Sequence, residues 1–122
     1  MAKTIDDFVR AAQQVVPEVG PAEAQRLVAA GALALDVREA GEVARGTVPD
    51  AMAIPRGRLE LDAPDWIFDP EGPIVVVCST GRRSILAAQV LREMGFTQAC
   101  SLAGGLDAWQ AAGLALGPAR PA

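Results

Sequence analysis

The heptapeptide Cys78-Ser79-Thr80-Gly81-Arg82-Arg83-Ser84 sets a thiol, a glycine, two guanidinium groups and three hydroxyls within one short loop. A thiol nucleophile must ionise near neutral pH, whereas a free cysteine titrates at about 8.5. The chain has no histidine, so Ser-His-Asp and Cys-His catalysis are both excluded. The loop offers a substitute for the imidazole. It lies between the β-branched run Ile74-Val75-Val76-Val77 and a helix-periodic segment, so Cys78 can turn its sulfur toward a helix N-terminus, where free amides favour an anion. Gly81 permits a positive φ, and the amides of Ser79, Thr80, Gly81, Arg82 and Arg83 can then turn inward as a cradle. Arg82 and Arg83 add cations that titration cannot remove. A cysteine after a valine run is often only a small core residue. The combination with the glycine turn, both arginines and Ser84 makes Cys78 the candidate nucleophile.

Other chemistries find little support. Two cysteines without histidine cannot close a structural zinc site, and Cys78 and Cys100 form no CxxC pair. There is no G-x-x-x-x-G-K-[ST] and no G-x-G-x-x-G, so neither metal nor cofactor is expected. A net charge of −4 argues against nucleic-acid and anionic-membrane partners, which need basic surfaces. No apolar run reaches the roughly 18 residues of a membrane span. The N-terminal residues turn acidic at Asp6 and Asp7 before a signal-like apolar stretch can form, and a cytoplasmic location is expected.

The elements that must position the loop follow from hydrophobic patterning. At 122 residues, of which 51% are hydrophobic, one compact domain is expected. An amphipathic helix is predicted over 4–16, with Thr4 as N-cap, Asp6 and Asp7 in the first turn, and Ile5, Phe8, Ala12 and Val15 or Val16 as its apolar stripe. Pro17 stops it. Pro21 opens a second helix over 21–30, ended by Gly31. The segments 32–37 and 51–54 read as short strands, with a short helix at 40–45 between them. Residues 56–72 look irregular, with one helical turn at 64–68 anchored by an aromatic. The run 74–77 reads as a central strand buried on both faces. A helix over 84–94, a strand over 97–102, a Gly104-Gly105 turn and a helix over 106–112 complete the pattern, and 118–122 reads as a loose tail. Alternating strands and helices imply right-handed crossovers and an α/β fold, a mostly parallel sheet with helices on both faces. Ligands in such folds sit beyond the carboxyl ends of the strands, the edge where Cys78 lies.

These motifs together resemble the single-domain rhodanese family over about 19–116. The loop C-S-T-G-R-R-S is similar to the family's C-x-x-G-x-R-S. Upstream, D-V-R-E at 36–39 resembles its strand-end signature, and G-T-V-P-D-A-M-A-I-P at 46–55 is similar to G-H-I-P-G-A-x-x-I-P. Downstream, L-A-G-G-L-D-A-W-Q-A-A-G at 102–113 resembles L-x-G-G-x-x-x-W-x-x-x-G. Thr47 and Asp50 depart from the family's usual histidine and glycine. The resemblance divides the chain into an N-terminal helical extension (1–18), a rhodanese-like three-layer domain (19–116) and a tail (117–122).

It implies sulfur transfer. Thiosulfate or a related donor would pass its outer sulfur to Cys78, and a thiol, cyanide or protein acceptor would take it from the persulfide. Arg82 would face the mouth and attract the anionic donor, Arg83 would brace the loop, and Ser84 would cap the helix and donate into the cradle. Asp36 and Arg38 carry the family's signature types and read as a buried ion pair ordering the strand end rather than as direct catalysts. Cys100, Trp66 and Trp109 read as core packing.

Two rivals compete with this reading. Cysteine phosphatases and arsenate reductases use Cys-x5-Arg, whose arginine chelates two oxygens of a tetrahedral oxyanion; here Arg83 comes one residue too early, and position 84 is serine. A persulfide carrier or docking module fed by a protein partner would use the same loop.

Overall fold

A computed structural model describes residues 1–121. Among them are five strands, β1 (Glu18–Val19), β2 (Leu33–Asp36), β3 (Met52–Ala53), β4 (Pro73–Val77) and β5 (Gln98–Leu102). All pair in parallel, in the order β1-β5-β4-β2-β3. The helices are α1 (Ile5–Gln13), α2 (Pro21–Ala29), α3 (Ala40–Val43), α4 (Leu59–Trp66), α5 (Arg82–Glu93) and α6 (Gly105–Ala111). No described helix is long and apolar enough to cross a membrane.

Central strand β4 explains the layering. Side chains alternate across a strand, and here Ile74 and Val76 join one core with Ala12 of α1, Leu59 and Ala63 of α4, and Ile85 and Leu91 of α5. Val75 and Val77 join the other, with Ala24 of α2 and Leu106 and Trp109 of α6. Burial on both faces is what an uninterrupted β-branched run requires. Cys78, just past the strand, continues the alternation into the α5 side. Cys100 packs in the opposite core, so the sheet separates the two free thiols.

Several local expectations are corrected. Helix α1 keeps Thr4 as its N-cap, with Asp7 completing a capping box. It ends at Gln13 rather than at 16, however, and its inner side runs through the partly buried Val9 to Ala12, with Val16 buried just beyond the helix, while Ile5 and Phe8 stand about half exposed; the helix lies along α5, a rotation set by tertiary contact that periodicity alone left open. The stretch 56–72 is more regular than expected. A 3-10 turn at Arg56–Arg58 leads into α4, which accommodates Pro64 and is braced by Arg56–Glu60 and Arg58–Asp62 pairs. Trp66 is half exposed rather than a core anchor, whereas Trp109 is buried and donates Nε1–H to the Ala115 carbonyl. The tail is not loose through Arg120. Gly117 and Thr47 exchange backbone bonds (2.8 and 2.9 Å), the Asp50 amide donates to Pro118, and the Arg120 amide donates to Ala51. Edge strand β1, two residues long, carries too little pattern to be read from sequence.

The departure at Asp50 has a backbone consequence. Its φ is +66°, in the left-handed region, and it is alone in this among the described non-glycine residues. Aspartate tolerates that conformation better than most side chains, and Arg120 donates to the Asp50 carbonyl.

Candidate active site

Strand β4 delivers Cys78 to the carboxyl edge of the sheet, and Gly81, at φ +93°, turns the chain into α5. A Cβ at Gly81 would stand 3.1 Å from the Gly104 nitrogen and 3.2 Å from the Leu102 carbonyl oxygen, so the turn needs glycine for its φ and for space. Helix α5 starts at Arg82, two residues before the expected start, and Gly81 is its N-cap with no side-chain cap. Cys78 takes over that function. Its Sγ accepts from the amides of Gly81 (3.1 Å) and Ser84 (3.3 Å), which would otherwise be orphan donors of the first turn. Ser84 therefore does not cap the helix. Its hydroxyl lies 3.4 Å from Cys78 Sγ and 2.8 Å from the Ser101 hydroxyl. Among the described residues, the amides of Ser79, Thr80, Arg82 and Arg83 make no hydrogen bond to this sulfur, so the anion cradle read from sequence reduces to Gly81 and Ser84 in the resting loop. The sulfur is recessed, with Cys78 only 1% exposed.

The loop is clamped from behind. The amides of Leu106 and Asp107, at the start of α6, donate to the carbonyls of Cys78 (2.8 Å) and Ser79 (3.1 Å). The Gly104-Gly105 pair thus lies directly against the loop that the distant thiol occupies.

The two arginines face different carboxylates. Arg82 Nη2 meets Asp6 Oδ1 of α1 at 2.6 Å, tying the N-terminal helix to the mouth. Arg83 makes a forked pair with Glu42 of α3, at 2.8 and 2.9 Å. The Ser79 hydroxyl is 3.4 Å from the same carboxylate. The Arg83 hydrogen bonds are the chief cause that holds the Glu42 carboxyl down at about 2, and they raise the Arg83 guanidinium in return. Glu42 was not singled out by sequence reasoning; its signal is its place in the first turn of a helix starting beside Arg38, where it also accepts from the Glu39 amide.

Asp36 and Arg38 form a buried forked pair (2.9 to 3.1 Å) at the end of β2. Asp36 also accepts from the Arg38 amide and from the Thr47 hydroxyl at 2.7 Å, and Arg38 donates to the Gly46 carbonyl. The side-chain hydrogen bonds of this cluster stay within the carboxyl end of β2 and the 46–47 loop, and none of them involves Cys78. Thr47 supplies the buried donor at the position of the usual histidine. Cys100 accordingly has no part in the loop; burial pushes its thiol up.

A family model described as the Rhodanese-like domain matches residues 20–112. The chain belongs to the rhodanese-like family. The human thiosulfate:glutathione sulfurtransferase is 34% identical over 106 residues, covering 76% of this chain and 92% of that protein. The thiosulfate sulfurtransferase GlpE of Pseudomonas savastanoi is 34% identical over 95 residues, covering 76% and 86%. A solved structure from Rhodopseudomonas palustris, described as a protein of unknown function and possible tyrosine phosphatase, superposes with a TM-score of 0.86 at 26% identity, covering 96% of each chain. This rhodanese-like domain is a sulfurtransferase by family, and its three-layer parallel fold is the one its sequence motifs implied.

Proposed function

We propose that Cys78 carries sulfane sulfur as a persulfide, loaded from thiosulfate or a related donor and delivered to a thiol or cyanide acceptor. The observation that carries this reading is the pair of amide donors, Gly81 and Ser84, aimed at Cys78 Sγ. In loading, the Cys78 thiolate attacks the outer sulfur of thiosulfate. A new S–S bond forms, the donor's S–S bond breaks, and its electron pair leaves on sulfite. In delivery, an acceptor thiolate attacks the outer sulfur of the persulfide, and the electron pair returns to Cys78. Fixed amides suit both steps because the negative charge is never far from the same sulfur and no reorganisation is needed. Thr80, Arg82 and Arg83 would offer their remaining loop amides to the outer sulfur, and two free thiols suit a reducing compartment such as the cytoplasm.

A phosphatase reading fits less well. The arginine that would chelate a tetrahedral oxyanion is engaged at both Nη atoms by Glu42, and the Cys78-to-Arg83 spacing is one residue short. The test is intact mass of the reduced protein after incubation with thiosulfate, for wild type and Cys78→Ser. Gain of one sulfur atom in wild type alone supports the persulfide. No adduct, or an equal one in the variant, would overturn it.

A further inference from the structure

We infer that Ser101 is a positioning residue for Cys78, acting through the Ser84 hydroxyl as the second member of a buried two-hydroxyl relay. This rests on the reading of Cys78 as the sulfur carrier. Alternation along β5 sends Ala99 and Ser101 to the α5 side of the sheet and Cys100 to the other. In register, Ser101 pairs with Val76, two residues before the nucleophile. Ser101 and Ser84 are both 0% exposed, and their oxygens are 2.8 Å apart. A serine so deep in an apolar core needs a reason, because a buried hydroxyl is costly unless bonded.

Proton counting supplies the reason. Each hydroxyl donates once. When Cys78 is a thiol, it can donate to Ser84, whose own proton is then free for Ser101. When Cys78 is a thiolate, Ser84 must donate to the sulfur, and its oxygen is then available as an acceptor for the Ser101 proton. The heavy atoms keep their places while both hydrogens turn. In the ionised arrangement Ser101 polarises Ser84 toward the sulfur, and hydrogen bonds in such chains reinforce one another. The relay is also selective between the two steps. In the persulfide the charge moves to the outer sulfur, and in delivery it returns to the inner one, which Ser84 faces.

The charged groups on the elements that meet at the Cys78 loop are Arg83 (which interacts with the sulfur's charge) with Glu42 of α3, Arg82 with Asp6 of α1, the Asp36–Arg38 pair at the end of β2, and Asp107 at the start of α6. Substitution of Ser101 leaves all of them in place, so a change in sulfur ionisation reports the relay.

The test follows iodoacetamide alkylation of Cys78 against pH, read on the peptide that carries it, in wild type, Ser101→Ala, Ser84→Ala and the double variant. Ser101→Ala is expected to move the alkylation midpoint up by about half a pH unit. Added to Ser84→Ala, it is expected to have no further effect, because its path to the sulfur is already gone. An unmoved midpoint in Ser101→Ala, or a full additional shift in the double variant, would overturn the relay. Should the alanine variant unfold, Ser101→Cys, close in size and a weaker donor, is expected to shift the midpoint in the same direction, and its failure to do so counts equally against the proposal. Wild-type sulfur loading from thiosulfate, measured in parallel, separates the two readings: an unloaded wild type whose midpoint still responds to Ser101 overturns the persulfide and supports the relay.

Discussion

Gly105 stands with its backbone against the Cys78 carbonyl: a Cβ at 105 would fall 2.5 Å from that oxygen and 2.5 Å from the carbonyl carbon and oxygen of Ser79. Its φ of +63° is left-handed as well. The start of α6 can therefore donate to the loop carbonyls only because position 105 has no side chain.

Gly105→Ala should accordingly damage stability and chemistry together. Left-handed strain and forced separation from the loop should cost about 2–4 kcal/mol, read from urea denaturation. The same variant should lose most sulfur loading from thiosulfate, since the loop amides move with their carbonyls. Wild-type stability in this variant would mean that the backbone contact is softer than its geometry requires.

The Glu42–Arg83 pair makes a prediction about acid. Glu42 ionises at about 2 when folded, against 4.5 for the free side chain, chiefly because Arg83 donates to it. A carboxylate depressed on folding stabilises the protein above its unfolded value and loses that contribution as pH falls through the folded one. The stability gap between wild type and Glu42→Gln should thus be widest above about pH 5 and close progressively toward pH 2. Its full size should stay under about 1 kcal/mol, because both partners are partly solvated. Urea midpoints at several pH values read the gap, and a gap that widens in acid contradicts the pairing.

The parts legible in the sequence are those fixed by local chemistry. The short β-branched valine run reads as a doubly covered strand, and the Cys78 loop placed after it then falls at the ligand edge of the sheet. The missing parts depend on tertiary contact. Glu42 carries no motif signal of its own, and only the meeting of α3 with the loop pairs it with Arg83. Ser101 carries no sequence signal either, since its meeting with Ser84 depends on the packing of α5 against β5. Arg82 read as an open cation at the mouth, because nothing in the sequence says that α1 folds back 76 positions to meet it. The resemblance points to the Ser84 hydroxyl as the cap of α5, whereas the Cys78 sulfur itself fills that role.

That contact between Asp6 and Arg82 bears directly on donor choice. Thiosulfate is a dianion, and a free Arg82 would draw it toward the recessed sulfur, but the Asp6 carboxylate at 2.6 Å offsets much of that attraction. Asp6→Asn should therefore raise kcat/KM for thiosulfate by about two- to fivefold at low ionic strength. The gain should shrink as salt screens the exposed charges, and Arg82→Ala should lower the same constant. Stability should change little, since a solvated ion pair contributes under about 1 kcal/mol. Initial rates across a salt series check all of this. If Asp6→Asn matches wild type at low salt, the helix carboxylate has no hold on the donor, and α1 serves only to pack against α5.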